Sequence, residues 1–495
     1  MLNEDPSKAY LAFDLGAESG RAMLVRMHAG ALAAREVRRF KNDPVQDGGS
    51  LRWNVHGLWH EMRTTLSELA TTELAGIGVD AWGVDYALLD ATGTLLENPY
   101  HYRDKRTSGM MERVFRRVSK DEIYGTTGIQ FMPINTVYQL FAANLETPSL
   151  LKRAARLLTI PDLFHFWLSG KAVCEFTNAT TTQLVNPRTR TWAREFIEQL
   201  EFPGHLWVEI VEPGTLLGGL RPGITRDAAL PHTPVIAPAA HDTGSAVAAI
   251  SARESSAFLS SGTWSLLGTE LDAPLITREA MRLNFTNEGG VRGTTRFLKN
   301  VMGLWLLQGC HKFWTARGHD YDLPGLLHAA EHEEPFACLV DPDHDSFLRA
   351  TDMPAAITEF CARTHQPAPG STGGFTRTIL ESLAFKYRVV LAELEQLTGK
   401  RIGTIRVIGG GSKNRVLNQF TADATGRTVL AGPVEATALG NAAVQMLATG
   451  AVASLQDARA IIERSYPVEV FRPMNPEVWN LHAERFRHYC EAVYA

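Results

Sequence analysis

Hydrophobic and polar positions alternate along the chain in short blocks with two recurring spacings. Tyr10–Asp14 is apolar enough for a strand, Gly16 to Gly20 makes a turn, and Arg21–Arg26 returns, which predicts a hairpin. Ala31–Phe40 supplies a third strand. Over Asn54–Ala70 the residues Leu58, Met62, Leu66 and Leu69 recur at helical spacing. Ile77–Asp80 and Val84–Leu89 read as short strands with Trp82-Gly83 between them. The stretch PVIAPAAHDTGSAVAAI, Pro234–Ile250, runs apolar, stops at His241-Asp242 and then turns small. After Ile250 the pattern restarts, with Ala257–Ser260 and Trp264–Gly268 forming a second hairpin. Farther on, Thr376–Leu397 carries Ile379, Leu383, Tyr387, Leu391 and Leu394 along one side of a helix. Ile405–Ile408 is a strand that runs into Gly409-Gly410-Gly411, Asn414–Thr425 reads as helical, and Asn475–Ala495 reads as a docking helix.

At 495 residues the chain is too long for one core. Strands followed by helices in both halves predict two α/β domains with a cleft between them. The expected boundaries are 9–250, 251–450 and a helical tail over 451–495. The formal charge of −5 argues against a nucleic-acid partner. No apolar run approaches the ~20 residues that cross a bilayer, which argues against a membrane partner. Two acids stand near the start, where a secretion signal needs basic residues. The five cysteines are scattered and show no CxxC pair, so they read as reduced thiols. A cytoplasmic protein acting on small molecules, as a monomer or small homo-oligomer, is the expectation.

Six segments can carry chemistry, most of them with a plain structural alternative. Asp242 is either a helix N-cap accepting from the backbone of Gly244 or Ser245, or a general base at a strand's carboxyl end. FDLGAESGR, Phe13 to Arg21, offers backbone N–H groups, a carboxylate and an arginine to an anion or hydrated metal; it is equally an ordinary hairpin. FLSSGTWSLLG, Phe258 to Gly268, repeats that plan, with Thr263 in its turn. The three glycines of VIGGGSKN suggest close approach of a ligand to the backbone, although no Walker sequence follows. Lys299-Asn300, at the start of a helix, is a cleft-facing pair or a cap. Trp82-Gly83 with His101–Asp104 lines a sugar site, or Trp82 is core.

Taken in order, DLGAESGR, GVDAWGVDYALLD, YRDKR, GIQFMPINTVYQL, TNATTTQLVN, HDTGSAV, LSSGTWSLLG, TNEGG, FLKNVMGLWLLQ and GGGSKNRVLNQFTADATGRTVLAGPVEATALGNAAVQ resemble the FGGY carbohydrate kinases. The resemblance spans Leu11 to Met446. It implies the two-domain actin/hexokinase-like (ribonuclease H-like) ATPase fold with an interdomain active-site cleft. It implies ATP-dependent phosphorylation of a ketose, L-rhamnulose at its 1-hydroxyl in first place, with L-fuculose as the alternative. Asp242 matches the catalytic base, while Gly83, His241, Asp242, Thr243 and Asn300 match sugar contacts. Ala17, Glu18, Ser19, Gly20 and Arg21 match the ATP-phosphate loop, and Thr263, Gln308 and Gly410 match further ATP contacts. Asp14 matches the holder of hydrated Mg²⁺. Glu18 stands where many sugar kinases of this fold carry Ser or Thr, so the backbone is the contact there. Two other classes fit the sequence less well: an actin- or Hsp70-like ATPase is expected to carry a peptide-binding module after its ATPase halves, and a silent sugar sensor is expected to lose the acid at position 242.

Overall fold

Ala9–Leu15 (β1) is buried along its whole length and pairs with two neighbours of opposite sense. In the computed structural model, which describes residues 9–492 apart from 229, 231–232, 252–254 and 320, the chain divides into two compact units. The first takes the chain up to Ser251 together with Glu270–Phe297 and Glu435–Tyr466. The second takes the stretch ending at Thr269, Leu298–Val434 and the chain from Pro467 onward.

The first unit is built on a six-stranded sheet. With Ser19–His28 as β2, Ala31–Lys41 as β3, Leu74–Ala81 as β4, Thr215–Gly219 as β5 and Pro234–Ala237 as β6, its order is β5-β6-β4-β1-β2-β3. The three central strands β6, β4 and β1 run parallel, and β2, β3 and β5 are antiparallel to their neighbours. The parallel pair aligns Asp14 with Asp80, and the hairpin aligns Asp14 with Arg21. Helix Ala436–Ala448 lies on this sheet, with Ala438 packed between Ala12 and Met23. Gly76 and Gly78 make room for its polar side chains: a Cβ on Gly78 would stand 2.6 Å from Asn441 Oδ1. Gln445 uses that space to donate to the Leu11 carbonyl at 3.1 Å.

The second unit repeats the plan. Ser256–Ser261 (β7) and Trp264–Leu271 (β8) form a hairpin; Thr404–Ile408 (β9) and Thr428–Ala431 (β10) run parallel beside β7, and Glu469–Phe471 (β11) closes that edge. Helix Thr372–Thr398 buries Ile379, Leu383, Tyr387, Leu391 and Leu394, the side expected from their spacing. Phe385 of this helix stacks on Phe486 of Pro476–Ala492, the C-terminal helix. The last three residues of the expected docking helix lie outside the described residues.

The strand predicted over Val84–Leu89 starts at Tyr86, because Val84 takes φ 67°, the left-handed region that a β-branched residue rarely enters. Asn300 does not begin a helix. It lies inside the strand Thr295–Met302, and the helix starts at Trp305 after a turn in which Gly303 packs against Ser265. All five cysteines are free thiols. Among the described residues, no helix is long and apolar enough to cross a membrane.

Candidate functional site

Asp14 and Asp80 end two adjacent parallel strands, and the chain leaving the third, β6, leads to Asp242. Three aspartates therefore gather at the carboxyl edge of the first sheet, where open α/β sheets bind ligands. Asp80 is fully buried; Asn441 Nδ2 donates to one of its oxygens at 2.5 Å, while the other has no hydrogen-bond partner among the described residues. Burial, then the charge of Asp14, holds the Asp80 carboxyl well above the ordinary range. Arg21 donates to Asp14 Oδ2 and to Glu435, so its guanidinium is fixed between two carboxylates. Around it, Gly16 N donates to the Ser19 carbonyl at 2.9 Å, and Asn42 donates to the carbonyls of Gly16 and Glu18. Ala17 and Glu18 form the half-exposed tip of this turn. Gly20 is a packing glycine, since a Cβ there would lie 2.1 Å from the Phe40 ring.

Asp242 is the first residue of helix Asp242–Ala248, and His241 is its cap. Thr243 N donates to Asp242 Oδ1, the Thr243 hydroxyl reaches the same oxygen at 3.1 Å, and His241 Nε2 lies 3.4 Å from it. The expected donors Gly244 and Ser245 are not used; Ser245 N bonds the His241 carbonyl instead. Among the described residues, Asp242 Oδ2 has no hydrogen-bond partner, and the side chain keeps 30% of its surface open. Burial raises the Asp242 carboxyl above its ordinary range, His241 pulls it back, and Asp14 raises it further.

A buried polar frame sets the turn that carries this residue. Glu175, fully buried, accepts from Ala240 N at 2.9 Å, from Thr177 N at 2.9 Å and from the Thr177 hydroxyl at 2.6 Å. Thr177 Oγ1 in turn accepts from His241 N at 3.1 Å. Burial pushes the Glu175 carboxyl up to about 8 against these donors. Gly83 sits under Thr181, where a Cβ would meet the Oγ1 at 2.9 Å, and Val84 N donates to that same oxygen. Trp82 is core: its ring lies 4.2 Å from Trp53, and both indole N–H groups donate to Asp85.

In the second unit the hairpin turn and the glycine run end adjacent parallel strands. Thr263 carries a carbonyl that accepts from Gly303 N and Trp305 N, and its own residue is half-exposed. The three glycines have three different reasons. Gly409 takes φ 81°, Gly411 lies against Ser261 with 2.0 Å between a built Cβ and the Oγ, and Gly410 is exposed with nothing within 4 Å. Only Gly410 therefore has open space for a ligand. Among the described residues, Gln308 Oε1 and Asn414 Nδ2 are buried polar atoms without hydrogen-bond partners. Such orphans fit a polar ligand better than a closed core.

The chain matches the N-terminal domain model of the FGGY family of carbohydrate kinases over residues 9–249 and the C-terminal domain model over 257–449. It belongs to that family. The kinase is 44% identical over 474 residues to a rhamnulokinase of Bacteroides thetaiotaomicron, covering 95% of this chain and 97% of that protein. It is 42% identical over 471 residues to a rhamnulokinase of Enterococcus faecalis, covering 94% of each. Among solved structures it matches a gluconate kinase from Lactobacillus acidophilus at TM-score 0.80 and 18% identity, over 98% of this chain and 97% of that one. It matches Plasmodium falciparum glycerol kinase with ADP at TM-score 0.77 and 15% identity, over 98% of each chain. These structural likenesses establish the fold. The kinase phosphorylates a sugar.

Of the residues singled out from the sequence, the first unit of this kinase brings together Asp14, Ala17–Arg21, Gly83, His241, Asp242 and Thr243; Thr263, Asn300, Gln308 and Gly410 belong to the second. Among the described residues no three His, Cys, Asp or Glu side chains are grouped to hold a metal ion. Sequence reasoning missed Asp80, Glu175, Glu288, Arg296 and Glu435. Each is a charged residue within an apolar or small-residue stretch, and that contrast is the signal that marks them.

Proposed function

We propose that this kinase transfers the γ-phosphoryl group of ATP to the 1-hydroxyl of L-rhamnulose, giving L-rhamnulose 1-phosphate and ADP in L-rhamnose catabolism. The observation that carries the reading is the asymmetry of Asp242: Thr243 and His241 crowd Oδ1, and Oδ2 has no partner among the described residues. A hydroxyl nucleophile needs such a base within hydrogen-bond reach. Near full-length similarity to rhamnulokinases supports this ketose as the acceptor.

In the reaction, Asp242 Oδ2 takes the proton of the sugar's 1-hydroxyl as that oxygen bonds to the γ-phosphorus. The bond from the γ-phosphorus to the β,γ-bridging oxygen breaks, and its electrons leave on ADP. Gly83, His241, Thr243 and Asn300 contact the sugar. Ala17, Glu18, Ser19, Gly20 and Arg21 meet the phosphates, with Thr263, Gln308 and Gly410 as further contacts to ATP. Arg21, pinned by Asp14 and Glu435, offers a positive charge that needs no reorganisation during transfer. Mg²⁺ arriving with ATP would supply charge neutralisation, with Asp14 holding its hydration shell.

Asp242→Asn is expected to keep sugar binding, measured by calorimetry, and to lose about a hundredfold or more in kcat. Near-normal turnover would remove Asp242 from the reaction. Across a ketose panel containing L-rhamnulose and L-fuculose, L-rhamnulose is expected to give the highest kcat/KM; a better substrate overturns the specificity.

A further inference from the structure

The buried pair Arg296 and Glu288 has no part in the reaction above, yet both touch the residue next to the proposed base. Arg296 is fully buried and Glu288 nearly so. Arg296 Nε donates to the Gly289 carbonyl at 2.7 Å, Nη1 lies 3.0 Å from Glu288 Oε2, and Nη2 hydrogen-bonds His241 Nδ1 at 3.1 Å. Glu288 Oε2 stands 3.2 Å from the same ring nitrogen. On its other side the ring turns Nε2 toward Asp242 Oδ1.

An arginine keeps all its protons and only donates, so Nδ1 accepts in this bond. A neutral ring whose Nδ1 accepts carries its proton on Nε2. We infer that Arg296, anchored by Glu288, fixes His241 as the Nε2–H tautomer and thereby makes it a donor to Oδ1 of Asp242. Oδ1 then faces three donors, Thr243 N, the Thr243 hydroxyl and His241 Nε2, and the acceptor hydroxyl of the sugar is left to Oδ2. The His241 contact, at 3.4 Å, is long, as such bonds often are before substrate binds. Arg296 and Glu288 are positioning residues, acting through His241. Among the described residues, the charged groups facing His241 are Arg296, Glu288 and Asp242; those acting on Asp242 are His241 and Asp14, and the charge of Asp242 in turn acts on Asp80.

The test is the protonation pattern of the His241 ring. In protein labelled with ¹⁵N-histidine, the ring signals are assigned by their loss in His241→Gln, and two-bond ¹H–¹⁵N correlations at neutral pH identify the protonated nitrogen. The wild type is expected to show a bare Nδ1 and a proton on Nε2. In Arg296→Met the proton is expected to move to Nδ1, facing Glu288. The acid limb of kcat/KM is then expected to rise by about one pH unit, because Asp242 loses a donor that favours its charged form. Arg296→Lys, which still donates, is expected to bring both readouts back toward wild type. A wild-type ring protonated on Nδ1 overturns the inference, and that spectrum needs no variant of Arg296 to fold. The inference rests on Asp242 as base, and the two fail separately: Asp242→Asn with normal turnover removes the base, whereas the spectrum alone removes the tautomer.

Discussion

Single residues explain why a shared sequence motif splits into separate jobs. The glycine run Gly409–Gly411 reads as one ligand-facing loop, yet its members differ in what a side chain would meet. A methyl group on Gly411 collides with Ser261, whereas one on Gly410 enters open space. Gly411→Ala is therefore expected to cost about 1–3 kcal/mol of stability, as overpacking does, and Gly410→Ala to stay within about 0.5 kcal/mol. Thermal unfolding of the two variants checks this, and equal losses would show that the run is not divided. That the apolar run stops at His241-Asp242 and a helix follows was legible from the sequence, because a charge breaking an apolar run is a local signal. The partner oxygen for each donor was not, since the capping reading chose Gly244 or Ser245 and the fold uses Thr243.

At the scale of elements, hairpins and amphipathic helices were the readable part. Strands β1 and β2, the helix at Thr372–Thr398 and the helix after Asn414 follow from alternation, helical spacing and a capping side chain within a few residues of sequence. Asn300 was misplaced for the same reason: FLKNVMGLWLLQ is apolar on both sides of Lys299-Asn300, and periodicity cannot divide a buried strand from the helix that follows it. The frame behind His241 joins elements far apart in sequence, and a lone glutamate gives no periodic signal. Glu175→Gln replaces one acceptor oxygen of that frame by an amide nitrogen that cannot accept, so a loss of at least about tenfold in kcat, with a smaller change in sugar KM, is expected from a displaced base. Its pH dependence has a defined sign. The folded-state carboxyl lies at about 8, above its ordinary value, so the folded protein holds a proton that the unfolded chain releases near pH 4.5. Its stabilising contribution is full below that value and is lost as pH rises through about 8. The Tm gap between wild type and Glu175→Gln should narrow between pH 5 and pH 8.5; a gap that widens contradicts the assignment.

At the scale of the whole molecule, the family and its two-unit plan were legible because many weak motifs fall in one order. What no local pattern reveals is which unit each late segment joins. Helix Ala436–Ala448 is completed by the first sheet: Asn441 serves Asp80, Gln445 serves Leu11, and Gly440 lies so close to helix Asp242–Ala248 that a Cβ would stand 1.8 Å from the Ser245 carbonyl. Arg459 adds an ion pair to Glu270 and bonds to the Val247 and Ala248 carbonyls. A fragment ending at Ser251 lacks all of these partners. It is expected to be insoluble or to lack cooperative unfolding by calorimetry, and a fragment that melts sharply like a native domain would contradict the division.

The return of Glu435–Tyr466 to the first sheet also sets a timetable for birth on the ribosome. The nascent amino-terminal half emerges first but has to wait, with Asp80 unmatched and Arg21 holding one carboxylate of two, until Glu435 and Asn441 have been made. The order in which the polypeptide is made thus puts completion of its first unit after synthesis of most of the second.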